Sequence, residues 1–252
     1  NNQPSTNVEG YLAVKDLPVG LVQHCRIEPQ LNPALVKMIN QRVDAIIAVS
    51  HGVNQTLRAN GVDAARCFTV SNAIDIYQPL PDRVTVRARL GLPTDSFLFG
   101  SIGSLIARKA THHTLQALSA FRRACPQINW HMVVVGAGPE RENLQLLAAR
   151  EGIADRVIFT GFRNNALDYL AAMDVFVLAS RSEGLPRVVL EAMLVNTAVI
   201  GSRVVGTAEL IDDGRTGLLF DYGDTARLCA HMQALCQNNA LRQQDRKSTR
   251  LN

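Results

Sequence analysis

Glu183 and Glu191 frame the stretch Ser180-Arg181-Ser182-Glu183-Gly184-Leu185-Pro186-Arg187-Val188-Val189-Leu190-Glu191-Ala192-Met193, whose residue types can build an anion site. Pro186 suits the first turn of a helix, and Gly184 just before it lets the backbone approach a ligand closely. N–H groups at the helix start, around residues 186–188, would face the crevice outside the carboxyl end of a strand at 175–178, where open α/β sheets bind ligands. Glu191 lies five residues beyond Pro186, roughly 7.5 Å along the axis at about 1.5 Å per residue. Two carboxylates flanking an anion site can hold hydroxyls on either side of a diphosphate. A helix-capping Glu beside a solvated Glu is the other reading, and geometry alone leaves both open.

Other chemistries find no support. Gly136-Ala137-Gly138 has Arg141 where a dinucleotide fingerprint needs its third glycine. There is no GxxxxGK[ST] phosphate loop. His112-His113 lacks a third ligand at metal spacing, so one is expected on a helix face and the other partly buried. Asp212-Asp213 is expected in a turn and Arg122-Arg123 at a solvated helix end. No acidic pair follows a strand, so no divalent ion is implied. Basic residues do not interleave with aromatics, so nucleic acid is not expected as a partner.

The elements that must position these residues follow from hydrophobic patterning. From Ser96 onward, short β-rich apolar runs alternate with amphipathic segments, which predicts βαβ units around a doubly wound parallel sheet. Strands are predicted at 97–102, 130–135, 157–160, 175–178, 198–201 and 217–220. Helices are predicted at 112–124, 140–151, 166–173, 187–195, 208–212 and 225–236. Nearer the start, strands are predicted at 20–23, 45–49 and 67–70, and helices at 33–41 and 53–60. Pro79, Pro81 and Pro93, with Asp75 and Asp82, break the pattern and read as a linker. The division expected is therefore a first domain at 1–80, a linker at 81–95 and a second domain at 96–244. The first has too few strands for a complete sheet, and with no initiating Met the chain is expected to be truncated at its start.

Composition sets the class. The 252 residues are 47% apolar and 19% charged, as in ordinary globular proteins. No apolar run approaches the roughly 18 residues of a membrane span, and residues 1–7 carry neither the basic start nor the apolar segment of a secretory signal. Five cysteines without a CxxC pair suit a reduced, cytosolic context with the thiols as small core residues. The net charge of +4 is unevenly spread. Residues 245–252, Asp-Arg-Lys-Ser-Thr-Arg-Leu-Asn, carry half of it and match a sequencing-library adapter read as protein (GAT CGG AAG AGC ACA CGT CTG AAC), so they are excluded from the fold reading. The remaining +2 does not argue for nucleic acid and leaves weak attraction to an anionic membrane surface.

At this point the sequence resembles a known family. Glu183 to Glu191 matches the E-x7-E motif of retaining family 4, or group 1, glycosyltransferases of GT-B fold. Residues 99–109 resemble the loop after that family's first donor-domain strand, Val134-Val135-Gly136-Ala137-Gly138-Pro139-Glu140 its VGxGPE turn, residues 157–162 its VxFxGF segment and Gly214-Arg215-Thr216-Gly217-Leu218-Leu219 its GxxGLL turn. Asp44-Ala45-Ile46-Ile47-Ala48-Val49-Ser50 is similar to its ADxIIAVS strand, and Val70-Ser71-Asn72-Ala73-Ile74-Asp75 to its VxPNGID linker. Several motifs in the right order over about 150 residues weigh far more than any one alone.

The resemblance implies two Rossmann-like domains, the first incomplete. It implies that Glu191 binds the ribose hydroxyls of a nucleotide, Glu183 the transferred sugar, and Arg108 with Lys109 the diphosphate, whose developing charge they would stabilise without a metal or other cofactor. Gly103, Ser104 and Gly136 would line the donor, residues Leu185 to Val188 (Leu185, Pro186, Arg187, Val188) with Gly184 the anion site, and Phe162 with Arg163 the nucleobase. His24, expected just past a strand end, matches a histidine near the transferred sugar; an ordinary structural histidine is the alternative. The chain departs from the family at Ser104 (many members have Arg), Ala110 (Gly), Asn196 and Ala198 (the Gly and Pro of GxPV), and at Val205-Gly206-Thr207-Ala208-Glu209, which keeps only Gly206 and Glu209 of GGxPE. The expected activity is metal-independent transfer, with retention, from a nucleotide diphosphate sugar to a saccharide or lipid-linked acceptor in bacterial polysaccharide or lipopolysaccharide synthesis, in the cytoplasm or on the inner membrane face. A nucleotide-sugar binding module without activity and a GT-B sugar epimerase are the alternatives.

Overall fold

A computed structural model describes residues 8–14, 16–75 and 82–242; residues 76–81 and the adapter-like stretch 245–252 lie outside them. The chain forms two compact units. One comprises residues up to Ala73 together with Ser182–Arg187 and Val205–Leu210, and the other comprises the remainder.

The first unit holds α1 (Val8–Ala13), β1 (Val22–Cys25), α2 (Pro33–Arg42), β2 (Ala45–Ala48), α3 (His51–Ala59) and β3 (Cys67–Thr69). Its sheet is parallel in the order β1-β2-β3. α2 starts where Asn32 Oδ1 accepts from Leu35 N at 2.9 Å with Pro33 in the first turn, and α3 where Ser50 Oγ accepts from Val53 N at 3.1 Å. Leu35 and Ile39 on α2, and Val53 and Leu57 on α3, are spaced four apart and buried, the spacing that turns one helix face to a core. Leu185, from the distant 182–187 segment, is buried in the same cluster.

The second unit contains α4 (Arg83–Arg89), β4 (Phe97–Ile102), α5 (Thr111–Ala124), β5 (Trp130–Val135), α6 (Arg141–Arg150), β6 (Val157–Gly161), α7 (Ala166–Ala172), β7 (Val175–Leu178), α8 (Arg187–Leu194), β8 (Ala198–Ser202), β9 (Leu218–Phe220) and α10 (Thr225–Gln237); between β8 and β9, α9 (Val205–Leu210) falls with the first unit. The six strands are parallel in the order β6-β5-β4-β7-β8-β9. Every residue of β7 and β8 is buried, and their sequences, Val-Phe-Val-Leu and Ala-Val-Ile-Gly-Ser, are correspondingly apolar up to Ser202. Under α5, the rings of Phe99, Phe121 and Trp130 meet edge-on with centroids 5.5–6.4 Å apart.

Two sequence expectations fail here. Residues 82–95, read as linker, hold α4, capped by Asp82 through Val84 N and Thr85 N. What fixes α4 is tertiary. Arg83 and Arg87, one turn apart, donate to the two oxygens of Asp174 at 2.6 Å each, and Asp174 also accepts from Leu98 N at 2.8 Å. Arg87 further donates to the carbonyls of Ala172 and Ser96. The helix predicted at 208–212 instead runs Val205–Leu210, with Gly206 buried inside it. Arg122 and Arg123 do end α5 at an exposed position, as expected, with Arg122 paired to Asp155 at 2.8 Å on the surface.

Candidate functional site

In the second unit the chain goes outward from β4 to β6, then returns to place β7 on the other side of β4. That reversal opens a crevice at the carboxyl ends of β4 and β7, the place where open α/β sheets take ligands. The loop after β4, residues 103–110, lines it. Gly103 N donates to Val135 O at 3.0 Å and Leu105 N to Ala137 O at 2.9 Å, which ties this loop to the one after β5. Gly136 N donates to Gly161 O at 2.9 Å, joining the end of β6. Arg181 N, just past β7, donates to Arg108 O at 2.8 Å across the crevice itself. Four strand ends are thereby locked through backbone.

Glycine is required at this junction. Gly136 has φ +148°, and a Cβ there would fall 1.8 Å from Gly103 O. Gly103 has φ +147°, and the Lys109 stem lies over it, with Cε 3.5 Å from where a Cβ would stand. Gly103, Lys109 and Gly136 thus lie together with the end of β6 at Gly161, and Arg108 is beside Lys109 on the same loop. Ser104 is exposed on the same loop. Phe162 and Arg163, after β6, are exposed, leaving the Phe162 ring open to stack. Val188 and Glu191 belong to α8, Glu191 being half-buried one turn in from Arg187.

The remaining nominated residues lie in the first unit. Glu183, Gly184, Leu185 and Pro186 are buried and Arg187 is exposed. Gly184 rests on the chain just beyond β1, where a Cβ would lie 2.2 Å from Arg26 O. His24 is not past the strand end, as expected, but is the third residue of β1, half-exposed between buried Gln23 and Cys25. Partial burial and then the nearby Arg26 charge hold its pKa below the ordinary histidine value, so at neutral pH it is a neutral imidazole able to accept a proton or donate a hydrogen bond. Burial pushes the neighbouring Cys25 thiol up to about 12, consistent with an inert core residue. His112 and His113 are both half-buried, their rings 4.2 Å apart at the start of α5. Asp213 accepts from Leu219 N and pairs with Arg203, a turn-stabilising role.

Two departures from the family's glycines have a backbone explanation. Ala110 has φ +47° and Asn196 φ +55°, both left-handed. Asn tolerates that region, whereas Ala carries a steric penalty of roughly 1–2 kcal/mol there. Ala110→Gly is therefore expected to leave stability unchanged or raise it by up to about 1 kcal/mol once the added freedom of the unfolded glycine is offset. Urea denaturation checks this, and a loss of stability would refute the strain.

A family model described as "Glycosyl transferases group 1" matches residues 96–238, more than half of the chain. The chain belongs to this family. Within the family it is 33% identical over 156 residues to the lipopolysaccharide core biosynthesis glycosyltransferase LpsE of Rhizobium meliloti, covering 62% of this chain and 44% of that protein. It is 30% identical over 200 residues to N-acetyl-alpha-D-glucosaminyl L-malate synthase of Bacillus anthracis, covering 79% and 51%. The chain thus spans about half the length of the curated relatives it matches. The crystal structure of Anabaena HepE in complex with UDP and glucose superposes with a TM-score of 0.84 at 25% identity, over 96% of this chain and 69% of that one. The group 1 chain described here therefore has the GT-B fold that the motifs implied. No helix among the described residues is long and apolar enough to cross a membrane.

Proposed function

We propose that this chain belongs to a retaining glycosyltransferase that moves a hexose from a nucleotide diphosphate sugar to a saccharide or lipid-linked acceptor. The observation that carries the reading is the glycine-lined backbone junction at the β4 and β7 ends, with Arg108 and Lys109 on the β4 loop and the E-x7-E helix following β7. Support comes from HepE, whose structure holds UDP and glucose, and from the lipopolysaccharide core enzyme LpsE. In this reading Arg108 and Lys109 bind the diphosphate and, with the α8 start, stabilise the charge that develops as the nucleotide leaves. Glu191 binds the ribose hydroxyls and Glu183 the hexose. Phe162 and Arg163 border the base. The bond from the anomeric carbon to the phosphate oxygen breaks, the acceptor oxygen bonds to that carbon on the same face, and its proton passes to the departing phosphate. His24 borders the acceptor and the sugar. The set of residues calls for no metal or cofactor, and the reaction belongs in the cytoplasm, at the anionic inner face of the membrane when the acceptor is a lipid.

Calorimetry with UDP and GDP tests the donor site. One of the two is expected to bind, and Glu191→Ala and Lys109→Ala are each expected to weaken it by about ten-fold or more, the effect of removing a charge-assisted hydrogen bond. Unchanged affinity in both variants overturns the assignment.

A further inference from the structure

The loop that carries Glu183 is held by a backbone amide and a side chain that the donor reading does not use. Glu183 O accepts from Gly206 N at 3.3 Å, and Leu185 O accepts from Asn72 Nδ2 at 2.8 Å. Gly206 belongs to α9, and α9 is fixed in turn by Glu209. The two oxygens of that carboxylate accept from His51 N at 3.0 Å and Gly52 N at 2.8 Å, the first two residues of α3. A helix leaves its first N–H groups without internal acceptors, and the positive end of its dipole favours a carboxylate there. The contacts between these parts leave no slack. A Cβ on Gly206 would lie 2.2 Å from Gly184 O, and one on Gly52 would lie 2.5 Å from Val205 Cγ1. α9 is therefore wedged between the start of α3 and the Glu183 loop, so a shift of α9 moves the Glu183 backbone.

We infer that Glu209 and Asn72 are positioning residues that set the placement of the Glu183 carboxylate against the transferred sugar. Neither touches the donor; Glu209 acts through α9 and Asn72 through Leu185. The inference rests on the donor reading above, in which Glu183 binds the transferred sugar and Arg108, Lys109 and Glu191 bind the nucleotide. It separates two quantities that a structural defect would move together. Nucleotide affinity is set by Arg108, Lys109 and Glu191, whereas affinity for the nucleotide sugar depends also on where Glu183 is held. Glu209 is exposed, so its substitution opens no hole in the core.

The test titrates the wild-type chain, Glu209→Ala, Glu209→Gln and Asn72→Ala with UDP and UDP-glucose, and with GDP and GDP-mannose, alongside thermal melts. For the nucleotide pair that the wild type takes up, Glu209→Ala and Asn72→Ala are expected to keep the diphosphate Kd within about two-fold and to raise the sugar nucleotide Kd about ten-fold. Glu209→Gln, which keeps one acceptor oxygen and loses the charge, should fall between. If the diphosphate and its sugar conjugate change in parallel in Glu209→Ala and Asn72→Ala, or neither changes, the positioning role is overturned while the donor reading stands. A wild-type chain that binds none of the four ligands overturns both.

Discussion

Asp174→Ala is expected to destabilise the second unit by about 3–5 kcal/mol, the usual cost of removing one partner from a buried ion pair. At the size of this unit, that lowers the melting temperature by about 10 °C. Asp174 and Arg87 are each only 10% exposed, and the carboxylate serves two guanidinium groups and the Leu98 amide at once. Its loss leaves Arg87 charged in the interior with nothing opposite. Removing both charges at matched volume, as in Arg87→Met with Asp174→Leu, should cost markedly less than Asp174→Ala, because no charge is then stranded. Equal losses for the two would refute the argument.

The same group makes stability depend on acid. Burial raises the Asp174 pKa, but the Arg83 charge, the Leu98 amide and Arg87 outweigh it and hold the carboxyl below the ordinary carboxylate range. Burial, with the Arg83 charge, pushes Arg87 down against the pull of Asp174, yet a guanidinium stays protonated at any ordinary pH, so the pH dependence belongs to the aspartate. Because the folded pKa lies below the unfolded one, the stabilisation is complete above about pH 4 and is lost as the pH falls below that, through the folded value. Urea midpoints measured downward from pH 6 should show this slope in the wild type and lack the Asp174 part of it in Asp174→Asn.

Gly136→Ala has the second large effect. Its Cβ would enter the Gly103 carbonyl at 1.8 Å, and both neighbours are backbone, so no rotamer change relieves the clash. The β4 loop must move, and Lys109 moves with it. A loss of about 3 kcal/mol or more is expected, together with the nucleotide affinity. Gly152→Ala separates sterics from dihedral strain. Gly152 has φ +68° and nothing within 4 Å of a Cβ, so only the left-handed backbone penalty of roughly 1–2 kcal/mol applies. If both variants lose the same stability, the close approach at Gly136 is not what fixes the loop.

How much of this was legible in the sequence depends on whether the cause was local. Strands 97–102, 130–135 and 175–178 were read to the residue because largely buried parallel strands are short runs rich in apolar residues, unbroken in 175–178 and interrupted only by Gly100, Ser101 and His131 in the other two. The strand-end glycines were also legible, since a turn that presses backbone on backbone admits no side chain. α4 was not, because its Arg-Val-Thr-Val-Arg-Ala-Arg sequence has a weak apolar stripe and its decisive partner, Asp174, lies 87 residues from Arg87. The start of α9 was misread for the same kind of reason: Gly206 looks like a helix breaker until the carbonyl of Gly184 is seen to need that space. Nothing in the type of Ala110 announces a left-handed residue, and Glu209 meets His51 from 158 positions away.

The composition of the first unit also governs the order in which it can form. Leu185 belongs to its core, and the first amides of α3 wait for Glu209. On a ribosome, where chains emerge at about 5–20 residues per second, β1 to β3 are therefore synthesised before the second sheet yet remain incomplete until residue 210 has appeared, roughly seven seconds or more after β3. By then β4 to β8 have been made while β9 and α10, which complete the second core, are still to come, so the earlier-begun unit is finished in the midst of the later one.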